Sequence, residues 1–201
     1  MKKRIIEIYN FVRDDIIVGF NEKDNTPASQ VLKDNYGQCN TKAILAMALL
    51  RAVGIPCRIH GFIVDKELQK GIVNNFLFMF IPKDLYHTWV ELFYNDKWYV
   101  IEGIIIDIGY IRKLQKKFAN HRHTFCGYGI STKNFLDLAN GWNENDTYVQ
   151  KESIKKDLGV FDNPDDFYKK YKQNLGFAKM FLYRHFARYI MHSAFEKIRK
   201  G

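Results

Sequence analysis

Hydrophobic and polar positions along the chain predict a definite order of elements. Ile5, Ile8, Tyr9, Val12 and Ile16 recur at spacings of three and four, so residues 4 to 18 read as an amphipathic helix. Thr26-Pro27 then reads as a cap with proline at the first helical position, opening a short helix through Gln30, Val31 and Leu32. After Tyr36-Gly37-Gln38-Cys39-Asn40-Thr41, the stretch Ala43 to Leu50 is apolar on every side, the mark of a central, buried helix. Gly54 and Pro56 stop it in the expected order.

Cys57 to Val64 reads as a strand. Leu68 to Leu85, with its apolar run Phe76 to Ile81, fits either a second helix or a lid on the sheet. His87 to Tyr94 and Lys97 to Ile101 are aromatic and β-branched runs around Asn95-Asp96, a hairpin pattern. From Ile111 onward helices are predicted to dominate: Asn134 to Ala139 closed by Gly141, a helix capped by Asn163 and begun by Pro164-Asp165-Asp166, and Phe177 to Lys200. Helices, then strands, then helices make an α+β plan rather than an alternating one.

Composition adds limits. The chain has 201 residues, 47% of them hydrophobic and 15% aromatic, enough for a real core and against disorder. Three cysteines are too few and too odd for a disulfide scaffold and suggest a reducing, cytoplasmic setting. Glu7, Asn10, Arg13, Asp14 and Asp15 interrupt any apolar segment behind Met1-Lys2-Lys3-Arg4, so a signal peptide is not expected. No run approaches the length of a spanning helix, and no transmembrane segment is expected. The formal net charge of +9 is uneven: residues 1 to 110 sum to zero, whereas Phe167 to Gly201 carry +8. That contrast divides the chain into a neutral core, 1–110, and a mainly helical extension, 111–201, strongly basic from 167 onward.

Cys39 stands where a Gly-containing turn meets the start of the buried helix. Unpaired N–H groups and the helix dipole there favour a thiolate, which suits a nucleophile. A thiolate nucleophile needs a base and a group to orient it. With Asn95-Asp96 as the turn, residue i faces residue 191 − i, so Trp89 lies opposite Glu102 and His87 is its diagonal neighbour on the same face. His87 and Glu102 are thus within reach of one another, whereas Asp107 has the wrong parity. The Cys39 backbone N–H is the expected oxyanion donor, with Gln38, Tyr36 or Gln30 as candidates for a second and Trp89 as a supporting ring.

Gly37-Gln38-Cys39, Leu45-Ala46 with Leu49-Leu50-Arg51-Ala52-Val53-Gly54-Ile55-Pro56, His87-Thr88-Trp89-Val90-Glu91 and Trp98-Tyr99-Val100-Ile101-Glu102 resemble the core of the transglutaminase-like superfamily. The resemblance covers about residues 5 to 108. It implies a papain-like thiol fold, the cysteine-bearing helix packed on an antiparallel sheet, with Cys39 as nucleophile and His87 as base. Two positions depart from the family pattern. Glu102-Gly103 replaces the usual aspartate with its Pro-Thr, and Asn40 replaces the aromatic that follows the cysteine in cross-linking members, which favours hydrolysis over cross-linking.

The remaining candidates are weaker. His121-x-His123-x-x-Cys126 matches no four-ligand zinc spacing, so neither metal nor organic cofactor is expected. Cys57 reads as a core thiol and His60 as a strand residue. On the last helix Met180, Tyr183, Ala187, Ile190, Met191, Ala194 and Ile198 should face the core. Phe177, Phe181, Arg184, Arg188, Phe195 and Arg199 form an opposite stripe, and its arginines, Arg184, Arg188 and Arg199, could meet an anionic surface or an acidic partner. His185 and His192 fit that helix's polar side. The whole predicts a cytoplasmic cysteine enzyme acting on a protein, peptide or small amide through Cys39, His87 and Glu102, the alternative being a non-catalytic scaffold of the same fold working through its basic helices.

Overall fold

A computed structural model describes residues 1–138, 141–173 and 176–200 of the chain. Helix α1 (Lys2–Asn10) runs into a π-helical turn (Phe11–Asp15), and Ile5, Tyr9, Val12 and Ile16 are buried, as their spacing predicts. β1 (Ile17–Val18) leads to α2 (Ala28–Asp34), which Pro27 precedes as the cap rather than opening as its first residue. Asn35, at φ 57°, ends α2 in the left-handed conformation that asparagine tolerates. β2 (Tyr36–Gly37) pairs in parallel with β1 and delivers the chain to α3 (Cys39–Ala52), the central helix. Ala43, Leu45, Ala46, Met47 and Leu50 of α3 are buried, and Gly54 (φ 77°) turns the chain out of it.

β3 (Cys57–Asp65) is followed by the excursion 66–83, a 3-10 turn (Lys66–Gln69) and one short helix, α4 (Asn75–Phe80). β4 (Asp84–Tyr94) and β5 (Lys97–Val100) form the hairpin in the expected register, Glu91 opposite Val100 and Tyr94 opposite Lys97. Both turn residues, Asn95 (φ 48°) and Asp96 (φ 58°), are left-handed, the geometry of a type I′ turn.

The chain after 110 is less purely helical than its sequence suggests. α5 (Ile108–Lys117) is capped by Asp107, whose Oδ1 accepts the Tyr110 N–H at 2.9 Å. A small hairpin, β6 (Phe125–Gly127) and β7 (Ile130–Thr132), follows. Asn134 to Leu138 is turn, not helix, and Ala139 lies outside the described residues. Two interactions explain the difference: Phe135 stacks on Phe125 at 3.9 Å, and Gln115 Nε2 donates to the carbonyls of Phe135 and Leu136, which a helix would have used. β8 (Ile154–Phe161) then joins the core as an edge strand, giving an antiparallel sheet of order β5-β4-β3-β8. α3 packs on β3 and β4 of this sheet.

α6 (Pro164–Lys170) seats Phe167 against Gly61 of β3, where a Cβ would collide with the ring. The last segment is α7 (Gly176–Leu182), a π-helical turn (Tyr183–Ala187) and α8 (Arg188–Lys200). The wider turn rotates every later residue relative to a regular helix. Phe195, expected on the outward stripe, is therefore buried against Tyr110 and Phe20, while Ile190, expected inward, is 47% exposed. Arg199 is also turned inward and grips Asp107 at 2.7 Å, which removes it from any anion-facing set. His192 packs on the Tyr36 ring at 4.8 Å instead of standing on a polar face.

Candidate active site

Cys39 is the first residue of α3 and half-buried. The turn before it is held by a polar lattice: the Gln38 N–H donates to Thr41 Oγ1 at 3.0 Å, and the Thr41 hydroxyl donates to Asn21 Oδ1 at 2.6 Å. Gln38 Oε1 accepts the Asn21 N–H at 2.7 Å, and its Nε2 donates to Asp24 at 3.0 Å. The Gln38 amide thus clamps the 21–24 loop to the helix start. Asn40 fixes the other side. Its Nδ2 donates to the Tyr86 carbonyl at 3.2 Å, and its Oδ1 accepts from the Thr88 hydroxyl at 3.0 Å, so Cys39 is tied to β4 at the two residues flanking His87.

His87 and Glu102 are fully buried and joined Nε2 to Oε1 at 2.8 Å. Glu102 opens a 3-10 turn (Glu102–Ile104) at the end of β5. Its second oxygen accepts the N–H groups of Val149 and Gln150, at 2.8 and 3.1 Å. Residues 147 to 150 run beside that strand end, Thr147 exchanging backbone bonds with Val100 and Glu102. One carboxylate thus spans both partners. Gly103 permits the close approach, since a Cβ there would meet the Tyr9 hydroxyl and Thr147.

The other imidazole nitrogen, Nδ1, is buried, makes no hydrogen bond within range and interacts with Cys39. Burial by itself favours a neutral ring. Cys39 and Glu102 outweigh it and push the His87 pKa up to about 10. An imidazolium beside the thiol is the charge state with which a thiolate pairs.

Tyr168, on α6, is a neighbour that no sequence signal indicates. Its ring lines the cavity onto which Cys39 opens. Its hydroxyl is buried beside Thr88 and makes no direct hydrogen bond. Burial pushes the phenol pKa well up, so it keeps its proton. Asn40, Thr88 and the Val149–Gln150 amides also escape sequence reasoning. The last two are backbone donors, which leave no trace in residue type.

The other candidates lie elsewhere. Tyr36 turns its ring to His192, Gln30 is exposed and bonded to Asp34, and Trp89 packs on Phe62 at 4.0 Å, 6.4 Å from the His87 ring. None of the three lines the cavity, whereas Gln38 does. Cys57 is a core thiol whose Sγ reaches the Met47 carbonyl, and burial pushes its pKa up. His60 lies between Glu91 and Asp157, at 2.8 Å from each. His121 and His123 are 6.4 Å apart and Cys126 is exposed. Among the described residues no group of three or more His, Cys, Asp or Glu could hold a metal.

Cys39 at a helix start and His87 on an antiparallel sheet, with its Nε2 on a buried carboxylate, thus sit in a papain-like fold. The family model of the transglutaminase-like superfamily matches residues 1–103, and the chain belongs to that superfamily. Among solved structures it is similar to a candidate cysteine protease of Cytophaga hutchinsonii, with 13% identity, a TM-score of 0.43, and coverage of 83% of this chain and 38% of that one. No curated protein matches the chain. Among the described residues no helix is long and apolar enough to cross a membrane.

Proposed function

We propose that the protein is a cytoplasmic cysteine hydrolase or acyltransferase working through a Cys39–His87–Glu102 triad. The observation that carries this reading is the divided role of the His87 ring, Nε2 held by a buried carboxylate and Nδ1 left for Cys39. Cys39 Sγ attacks an amide or ester carbonyl, and the imidazolium passes its proton to the departing amine or alcohol. The resulting thioester is resolved by water or by an amine, His87 taking the proton of the incoming group. The Cys39 N–H at the helix start and the Tyr168 hydroxyl are the donors suited to the oxyanion. Protein, peptide and small acyl compounds are the candidate substrates.

The test is trapping. Incubation with p-nitrophenyl acetate should add one acetyl group to Cys39, seen by intact mass and peptide mapping. His87→Ala should abolish the adduct, with circular dichroism checking that the variant, in which Glu102 keeps only its two backbone donors, is folded. Acylation at an unchanged rate in His87→Ala, or at Cys57 or Cys126 instead, would sink the assignment.

A further inference from the structure

Cys39 opens onto a cavity of about 630 Å³, within the range of small-molecule sites. Polar side chains lie beside the thiol, Gln38, Asn40 and His87, and others reach the lining from the 22–25 loop, Gln69, Gln150 and Gln173, but most of the exposed wall is apolar. Leu68, Ile72 and Leu77 come from the excursion between β3 and β4, and Met180, Phe186 and Ile190 from the C-terminal helices. Lys172 and Lys179, also on the lining, are exposed and so stand at the rim. Phe186 and Ile190 are 58% and 47% exposed although they border the cavity. These side chains are not spent on the core and remain available to whatever fills the space.

A peptide or sugar seated along a mostly apolar wall would find partners for only part of its amides or hydroxyls, at a cost that an aliphatic chain does not incur. A chain of methylenes instead gains with every group withdrawn from water. We infer that the acyl donor carries a long unbranched aliphatic acyl chain, threaded between the 66–83 excursion and the C-terminal helices with its carbonyl at Cys39. This rests on the reading of Cys39 as nucleophile. In the step, the Sγ–carbonyl bond forms, the carbonyl–heteroatom bond breaks, and the leaving group departs with the His87 proton. Water then attacks the thioester and restores the thiol, releasing the fatty acid.

The experiment is a chain-length series of p-nitrophenyl esters, acetyl, butyryl, hexanoyl and octanoyl, kept below their micellar concentrations. kcat/KM is expected to rise along the series, by up to about fourfold per methylene. In Cys39→Ser, decanoate should bind with a stoichiometry of one. Leu77→Trp and Met180→Trp, which intrude from opposite walls, should each lower the octanoyl-to-acetyl ratio. The same series run as thioesters and as amides separates the carriers from which the chain can come. Cys39 acylation at rates that are flat or falling with length overturns the chain site and leaves the nucleophile standing. No Cys39 adduct with any ester, decanoate still binding, overturns the nucleophile and leaves the chain site.

Discussion

His87 and Glu102 face one another across the end of the β4–β5 hairpin with Nε2 and Oε1 2.8 Å apart, both out of contact with solvent. Neither residue could be buried there alone. The imidazolium is neutralised by the carboxylate, and the carboxylate's second oxygen is satisfied by two backbone N–H groups from 149 and 150. The pair is therefore as much a joint between the first half of the chain and residues 147–150 as a part of the site.

Replacing that carboxylate tests the joint. In Glu102→Gln the amide has one oxygen for three donors, so either the two backbone groups or the His87 Nε2–H loses its acceptor. Turnover, measured as kcat/KM on p-nitrophenyl acetate, is expected to fall about 100-fold or more, because the ring is no longer held as an imidazolium. Urea unfolding should show a loss of about 1–3 kcal/mol from the unpaired buried group. Full activity in Glu102→Gln would mean that the carboxylate only supports the fold.

The high His87 pKa sets the alkaline limb of the pH profile. Up to about pH 10 the ring keeps the proton that the leaving group must receive. Above it that proton is lost and the attack yields no neutral product. kcat/KM is expected to fall with an apparent pKa near 10, belonging to the coupled thiol–imidazole pair. A decline already near pH 7, the behaviour of an ordinary histidine, would contradict the ion pair.

Tyr168 separates a catalytic from a structural role cleanly. A hydroxyl that is buried without a direct bond contributes nothing to stability, and its removal is expected to be neutral or slightly stabilising. If it donates to the oxyanion, Tyr168→Phe lowers kcat by about 100-fold with KM little changed. Full activity in Tyr168→Phe with a loss only in Tyr168→Leu, or a fall in the unfolding midpoint of Tyr168→Phe, would assign the residue to packing instead.

These residues show what a sequence exposes and what it hides. The hairpin register and the parity of His87 and Glu102 follow from alternation about a turn whose residues, Asn95 and Asp96, favour positive φ. Cys39 is legible because glycine, a polar turn and an apolar helix meet there. Asn40 reads only as a departure from an aromatic, since its two bonds run to residues 46 and 48 positions away. Tyr168 and the 149–150 amides depend on the path of the chain after β5. The inward turn of Phe195 and Arg199 depends on a π-helical turn that a period of 3.6 cannot anticipate. Local periodicity fixes which face a residue occupies, but not which distant segment meets it.

Lys42 offers a final test, because it is a buried cation three residues from the nucleophile. Its ammonium is fully buried in α3 and donates to the carbonyls of Arg13 and Ile105, at 3.2 and 3.0 Å. Burial depresses its pKa from 10.5 to about 7, against the opposing fields of Asp107 and Asp14. Between those values the unfolded chain binds a proton that the folded chain has lost, so this group makes stability rise with pH across the window. Its cost is full below about pH 7 and gone above about pH 10.5. Lys42→Met removes the titration but leaves two carbonyls without a donor, at about 1–3 kcal/mol. Relative to wild type, the variant is therefore expected to look best at pH 6 and to lose ground by pH 10, the difference shifting by on the order of 4 kcal/mol. The comparison is made by urea unfolding at both pH values. The titrations of His60 and His87 are common to both proteins and cancel to the extent that they act independently. A difference that stays constant between pH 6 and pH 10 would show that Lys42 keeps an ordinary pKa in the folded protein.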